Sequence, residues 1–171
     1  MQQYVAQGVG FIGMLLCFLS FQFNTKKRIL IFNACSAAAF AIHFLMLGRA
    51  GYTGAFMNLI EIGRNLVFAS AMGQKRKRIW VPLFMALFFV IGLLSWESMF
   101  SLLPVFAMII STYILSLDST KQIRLLFFPV SIGWIIYNFY TSSIAGVLTE
   151  SGVLTSLVIA YFRFDFRRHA L

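Results

Sequence analysis

The sequence predicts an all-α polytopic membrane protein, with seven transmembrane helices joined by short connections and almost no mass outside the bilayer. Three observations carry that class. The 171 residues are 60% hydrophobic and 11% charged, with a mean hydropathy of +0.86, whereas soluble domains carry about 25% charged residues. The apolar residues fall in runs close to the roughly 20 residues that a helix needs to cross a bilayer. The basic residues sit in short clusters between alternate runs, as the positive-inside rule requires.

The first run, from Tyr4 to Phe23, is read as a retained helix. It is not read as a signal peptide, because Met1 to Gln7 contain no Lys or Arg to form a charged n-region. The break Asn24-Thr25-Lys26-Lys27-Arg28 leads into helix two, Ile29 to Leu47, which ends at Gly48-Arg49-Ala50-Gly51. Helix three runs from Tyr52 to Met72 and stops at Gly73-Gln74-Lys75-Arg76-Lys77-Arg78. Helix four, Ile79 to Leu94, is broken by Ser95-Trp96-Glu97-Ser98. Helix five runs from Met99 to Leu115, before Asp118-Ser119-Thr120-Lys121. Helix six, Ile123 to Tyr140, ends at Thr141-Ser142-Ser143, and helix seven spans Ile144 to Phe162. The basic tail follows, residues 163–171.

The charges orient these helices. The connections after helices one, three and five, together with the tail, hold twelve of the 14 Lys and Arg residues. Arg49 alone faces the other side, and Arg64 lies inside helix three. This places the N-terminus outside and the C-terminus in the cytoplasm. The net charge of +9 is therefore a topology signal, and no nucleic-acid partner is expected. Cys17 and Cys35 fall in apolar runs and read as small free hydrophobes.

No connection leaves room for a soluble domain, so residues 1–171 form one membrane domain. Helix order suggests two parallel three-helix units, about 4–72 and 99–162, linked by the helix at 79–94. Many transporters are built from such repeats, with the solute site near the midplane between them. An offset of 92 residues pairs Gly54 with Gly146 and Asn58 with Glu150.

Several segments carry a family resemblance. They are Ser20-Phe21-Gln22, Lys26-Lys27-Arg28, Ala41-Ile42-His43-Phe44-Leu45-Met46-Leu47-Gly48 and Gly51-Tyr52-Thr53-Gly54-Ala55. Asn58-Leu59-Ile60, Arg64-Asn65-Leu66-Val67-Phe68, Trp134, Tyr137-Asn138, Gly146-Val147-Leu148 and Glu150 continue the pattern. The chain resembles the YgjV-type bacterial inner membrane proteins. Its layout is similar to that of the SWEET, PQ-loop and PnuC-like seven-helix proteins, which implies a 3+1+3 SWEET-like arrangement. It also implies a pocket lined by polar residues of helices three and seven and aromatic residues of helices two and six. Two departures stand. Phe21-Gln22 replaces the Pro-Gln pair at the end of helix one, and Glu150 replaces a common Asn. The resemblance therefore does not carry sugar over as the solute.

The candidate pocket residues are His43, Asn58, Glu61, Arg64, Trp134, Tyr137, Asn138 and Glu150. A charge at the bilayer centre costs about 2.5–3.5 kcal/mol on insertion scales, so these groups need partners or a wet cavity. Glu61 and Arg64 are three residues apart and share a helical face; the pair either fixes packing or lines a solute path. Glu150 either reaches interfacial water or faces the pocket. His43 reads as a packing residue or a proton relay. Trp134, Tyr137 and Asn138 lie on the outer half of helix six, where aromatic rings also serve as interface anchors. Pro104 and Pro129 remove backbone donors and permit kinks. The pocket is expected to open outward in at least one state.

All five lysines lie in connections, so no lysine is available for a retinal Schiff base. No metal-ligand spacing, phosphate loop or catalytic constellation is present, and no enzyme activity, metal or cofactor is expected. A small-solute transporter or facilitator is the leading expectation, with lipid and a small polar solute as partners. A non-transporting scaffold or sensor subunit is the alternative. The sequence leaves open whether copies form a homo-oligomer.

Overall fold

A computed structural model describes residues 2–20, 23, 25–70, 74–114, 117 and 120–162. Among them are seven α-helices: α1 (Gln2–Ser20), α2 (Lys26–Met46), α3 (Tyr52–Ala69), α4 (Gln74–Leu94), α5 (Leu102–Ile114), α6 (Thr120–Tyr140) and α7 (Ile144–Ala160). Short 3-10 turns, Arg49–Gly51 and Met99–Ser101, lead into α3 and α5. The number and order match the seven expected helices. The tail, the Phe21-Gln22 pair, Met72, Gly73, Leu115 and Asp118 lie outside the described residues.

The helix starts differ from expectation in one consistent way. The basic clusters had been read as breaks, yet α2 begins at Lys26, α4 at Gln74 and α6 at Thr120. Lys and Arg are good helix formers, and neither cluster beginning at Lys26 or at Gln74 contains Gly or Pro. Hydropathy therefore marked where the apolar layer begins, while the backbone was already helical. Pro104 falls in the first turn of α5, where its missing N–H has no intrahelical partner to lose. Pro82 and Pro129 lie inside α4 and α6, both with exposed rings.

Helices α1, α2 and α6 hold stretches long and apolar enough to cross a membrane: Gln3–Ser20, Lys27–Met46 and Gln122–Tyr140. Arg78–Leu94, Met99–Ile114 and Ile144–Ala160 are apolar but shorter. Helix α3 is amphipathic: Asn58, Arg64 and Asn65 are buried, while Leu59, Gly63 and Leu66 are exposed. The outer surface carries many large apolar side chains, Ile12, Leu15, Leu87, Val90, Ile132 and Ile159 among them.

Six helices close into a ring in the order α1, α2, α3, α5, α6, α7, and α4 packs outside against α3 and α5. Directions alternate. Gln7 of α1 reaches Ser142 and Ala145 at the start of α7, and His43 near the end of α2 reaches Ala6 and Ser143. Thr53 of α3 reaches Ser95 and Ser101. The starts of α1, α3, α5 and α7 thus meet the ends of α2, α4 and α6 at one end, called here the amino end. The basic helix starts occupy the opposite, basic end. Close approach between helices uses small residues, as membrane bundles do. A Cβ on Gly10 would lie 2.8 Å from Ala145 Cβ and 2.9 Å from His43 Nδ1, and the Ser36 hydroxyl donates to the Gly13 carbonyl at 2.7 Å.

Candidate functional site

The ring encloses a cavity of about 410 Å³, within the 300–1,000 Å³ typical of small-molecule sites. Six of the eight sequence candidates line it: Asn58, Glu61 and Arg64 from α3, Trp134 and Asn138 from α6, and Glu150 from α7. Helical periodicity explains the grouping, because residues three, four or seven apart share a face. Asn58, Glu61, Arg64 and Asn65 obey that spacing, as do Ser131, Trp134 and Asn138, and Gly146, Thr149, Glu150 and Val153.

One wall is an ion-pair cluster. Arg64 Nη2 donates to Glu61 Oε1 at 2.8 Å, and its Nη1 donates to the Ser111 and Thr112 hydroxyls of α5 at 2.8 and 2.9 Å. Asn65 adds a bond to the same Glu61 oxygen at 3.3 Å. The guanidinium also lies over the Phe88 ring of α4, 5.5 Å from its centroid. Arg64 is fully inside, whereas the Glu61 side chain is 22% exposed. Burial of a charge demands such saturation. Ser111 and Thr112 were missed from sequence; their only signal was a pair of hydroxyls inside an apolar run.

The facing wall is less satisfied. The Ser131 hydroxyl lies beside the Glu150 carboxyl without reaching hydrogen-bond geometry, and Asn138 Oδ1 is buried with no partner. Asn58 donates its amide N–H to the Gly54 carbonyl at 2.8 Å. Among the described residues, no three His, Cys, Asp or Glu side chains are grouped to hold a metal.

His43 and Tyr137 do not line the cavity, which corrects their expected place in the pocket. Their polar atoms are used elsewhere. The two His43 ring nitrogens lie 2.7 Å from the Ala6 carbonyl and 2.7 Å from the Ser143 hydroxyl. The Tyr137 hydroxyl donates to the Ala50 carbonyl at 2.9 Å and accepts the Gly54 N–H at 2.8 Å. Phe44 stacks on Trp134 with centroids 6.1 Å apart and touches Tyr137 at 5.7 Å. Together these groups shut the amino end. In the other direction the lining continues to Cys17 in the last turn of α1, Leu30 in α2, Ile123 in the first turn of α6 and Leu157 in the last turn of α7. The cavity therefore extends toward the basic end in this state, while the sequence expectation is an outward opening in at least one state.

The profile of a family described as bacterial inner membrane proteins, Imp-YgjV, matches residues 4–168. The chain belongs to the YgjV family. Inner membrane protein YgjV of Escherichia coli (strain K12) is similar to it, with 28% identity over 165 residues, covering 94% of this chain and 85% of that protein. No solved structure matches. Of the segments that carry the YgjV resemblance, Asn58, Arg64, Asn65, Trp134, Asn138 and Glu150 face the cavity, while His43, Tyr137 and Gly54 build the closed end.

Proposed function

We propose that this inner membrane protein is a small-solute transporter or facilitator that crosses the membrane seven times, N-terminus outside, and performs no covalent chemistry. The central cavity carries the reading: it is polar on two walls, shut at one end and lined down to the other. In this reading α1–α3 and α5–α7 are two parallel units joined by α4, a 3+1+3 layout like that of SWEET proteins. A near-symmetry supports it. His43 and Tyr137 each lie one turn before the end of the middle helix of a unit. Each bonds at the start of the third helix of the other unit, Ser143 for α7 and Ala50 and Gly54 for α3.

Cys17 lines the cavity and Cys35 is exposed on the outer face, so Cys35→Ser leaves one cavity thiol. A membrane-impermeant maleimide should label it from the cytoplasmic face of inside-out vesicles and not from right-side-out ones. Labelling only from outside would reverse the orientation. No labelling from either face would leave a sealed bundle, as expected of a scaffold or sensor. A metabolite screen by thermal shift should then yield a solute that stabilises the native protein and whose effect is lost in Asn58→Ala and Glu150→Gln.

A further inference from the structure

We propose that the cavity selects an organic cation, a small solute with a protonated amine on an aromatic or flat apolar body. This rests on the transport reading and names the solute class.

Charge gives the first argument. The acidic and basic side chains on the lining are Glu61, Arg64 and Glu150. Glu61 and Arg64 neutralise one another at 2.8 Å. Glu150 belongs to neither salt bridge of the described residues. The cavity thus presents one carboxyl group with no counter-ion, and a bound cation is what would favour its ionised form over the protonated one. A cationic solute supplies the missing partner, and an anionic one is repelled.

Hydrogen bonding gives the second. Several donors on the lining are already used, while the Ser131 hydroxyl has no partner and lies beside the Glu150 carboxyl. Arg64 Nη1 and Nη2 serve Ser111, Thr112 and Glu61, and the Asn58 and Asn65 amides serve Gly54 and Glu61. Arg64 Nε is left without a partner, but the guanidinium is turned over Phe88 of α4, which does not line the cavity. What remains facing the cavity is acceptor capacity at Glu150, while the orphaned Asn138 Oδ1 is packed against Gly146. Buried acceptors without partners are costly, and an ammonium group brings only donors. The third argument is the aromatic wall of Phe40, Phe44, Phe127 and Trp134, whose ring faces attract cations and whose area suits a flat body.

Three probes on one skeleton test the charge rule: 2-phenylethylammonium, 2-phenylethanol and phenylacetate, titrated calorimetrically into the purified full chain in detergent. The ammonium should bind at least tenfold more tightly than the alcohol, and phenylacetate should not bind measurably. Glu150→Gln should weaken the ammonium at least tenfold, to the level of the alcohol. If that variant does not fold, Glu150→Asp should give a smaller loss in the same direction. Equal binding of the three probes, full ammonium binding by Glu150→Gln, or no ammonium binding by the wild type overturns the proposal. The Cys17 label separates the two readings. A thiol reactive from the cytoplasmic face and protected by the alcohol or the acid at concentrations as low as those of the ammonium leaves the solute cavity standing and removes the charge rule. A thiol unreactive from both faces removes both.

Discussion

Arg64 shows how a single side chain is made tolerable inside an apolar layer. It meets a carboxylate, two hydroxyls and an aromatic face contributed by α3, α4 and α5. Removing one partner of such a cluster costs more than removing both, because a lone buried charge remains. Glu61→Ala should therefore lower unfolding stability by about 3 kcal/mol, the low end of that range because the Ser111 and Thr112 bonds persist. Glu61→Ala combined with Arg64→Met should be less destabilised than Glu61→Ala alone, as read by denaturant unfolding in detergent; a double variant weaker than the single would show that the pair contributes through packing instead. The pairing itself was legible, since a three-residue spacing on a helix puts both groups on one face. Their partners were not. Ser111 and Thr112 sit forty-odd residues away in ordinary apolar sequence, and the Ala6 carbonyl that engages His43 is a backbone atom with no sequence signature.

At the level of helices, two local rules conflict and the membrane decides. Helices favour acidic groups in the first turn and basic groups in the last, because of the backbone dipole. Here α2, α4 and α6 have no acidic residue in the first turn and begin instead with Lys26, Lys75 or Lys121 among their first few residues. Each misplaced charge costs about 0.3–1 kcal/mol, a small cost beside the orientation signal that the clusters provide. That conflict is why the sequence located the helices well and their starts poorly. Helix packing allows a sharper test. A Cβ on Gly146 would run into the Asn138 side chain of α6 and lie 2.6 Å from Ser143 Oγ, so Gly146→Ala must displace that side chain or move α7 from α6, and a loss of about 1–3 kcal/mol is expected. Gly63 has nothing within 4 Å of its added Cβ, and Gly63→Ala should be neutral or stabilising by about 0.5–1 kcal/mol. The melting temperature of Gly146→Ala should fall and that of Gly63→Ala should hold or rise; a parallel rise would mean that helix propensity, not the α6–α7 contact, governs both.

Over the whole molecule, alternating helix direction and the gathering of basic starts at one end support the proposed topology, which fusions can check. A cytoplasm-active reporter at Leu171 should be active and one inserted after Trp96 silent; activity after Trp96 would break the seven-span count. Replacing Lys75, Arg76, Lys77 and Arg78 by Gln should blur that contrast, because the connection preceding α4 would lose its anchor. On the transport reading, the closed end carries a further consequence. The bonds that join α1–α3 to the α5–α7 half there are those of Gln7 with Ser142 and Ala145, His43 with Ser143, Tyr137 with Ala50 and Gly54, and Thr53 with Ser101. At about 1 kcal/mol net apiece, parting the halves lies about 6 kcal/mol uphill, which leaves roughly one molecule in ten thousand open to that side. Each bond deleted raises that fraction about fivefold. The amino end then behaves as a timer and the cavity as a filter: changes at Gln7 or His43 alter how often cargo is released, and changes at Glu150 alter which cargo is taken.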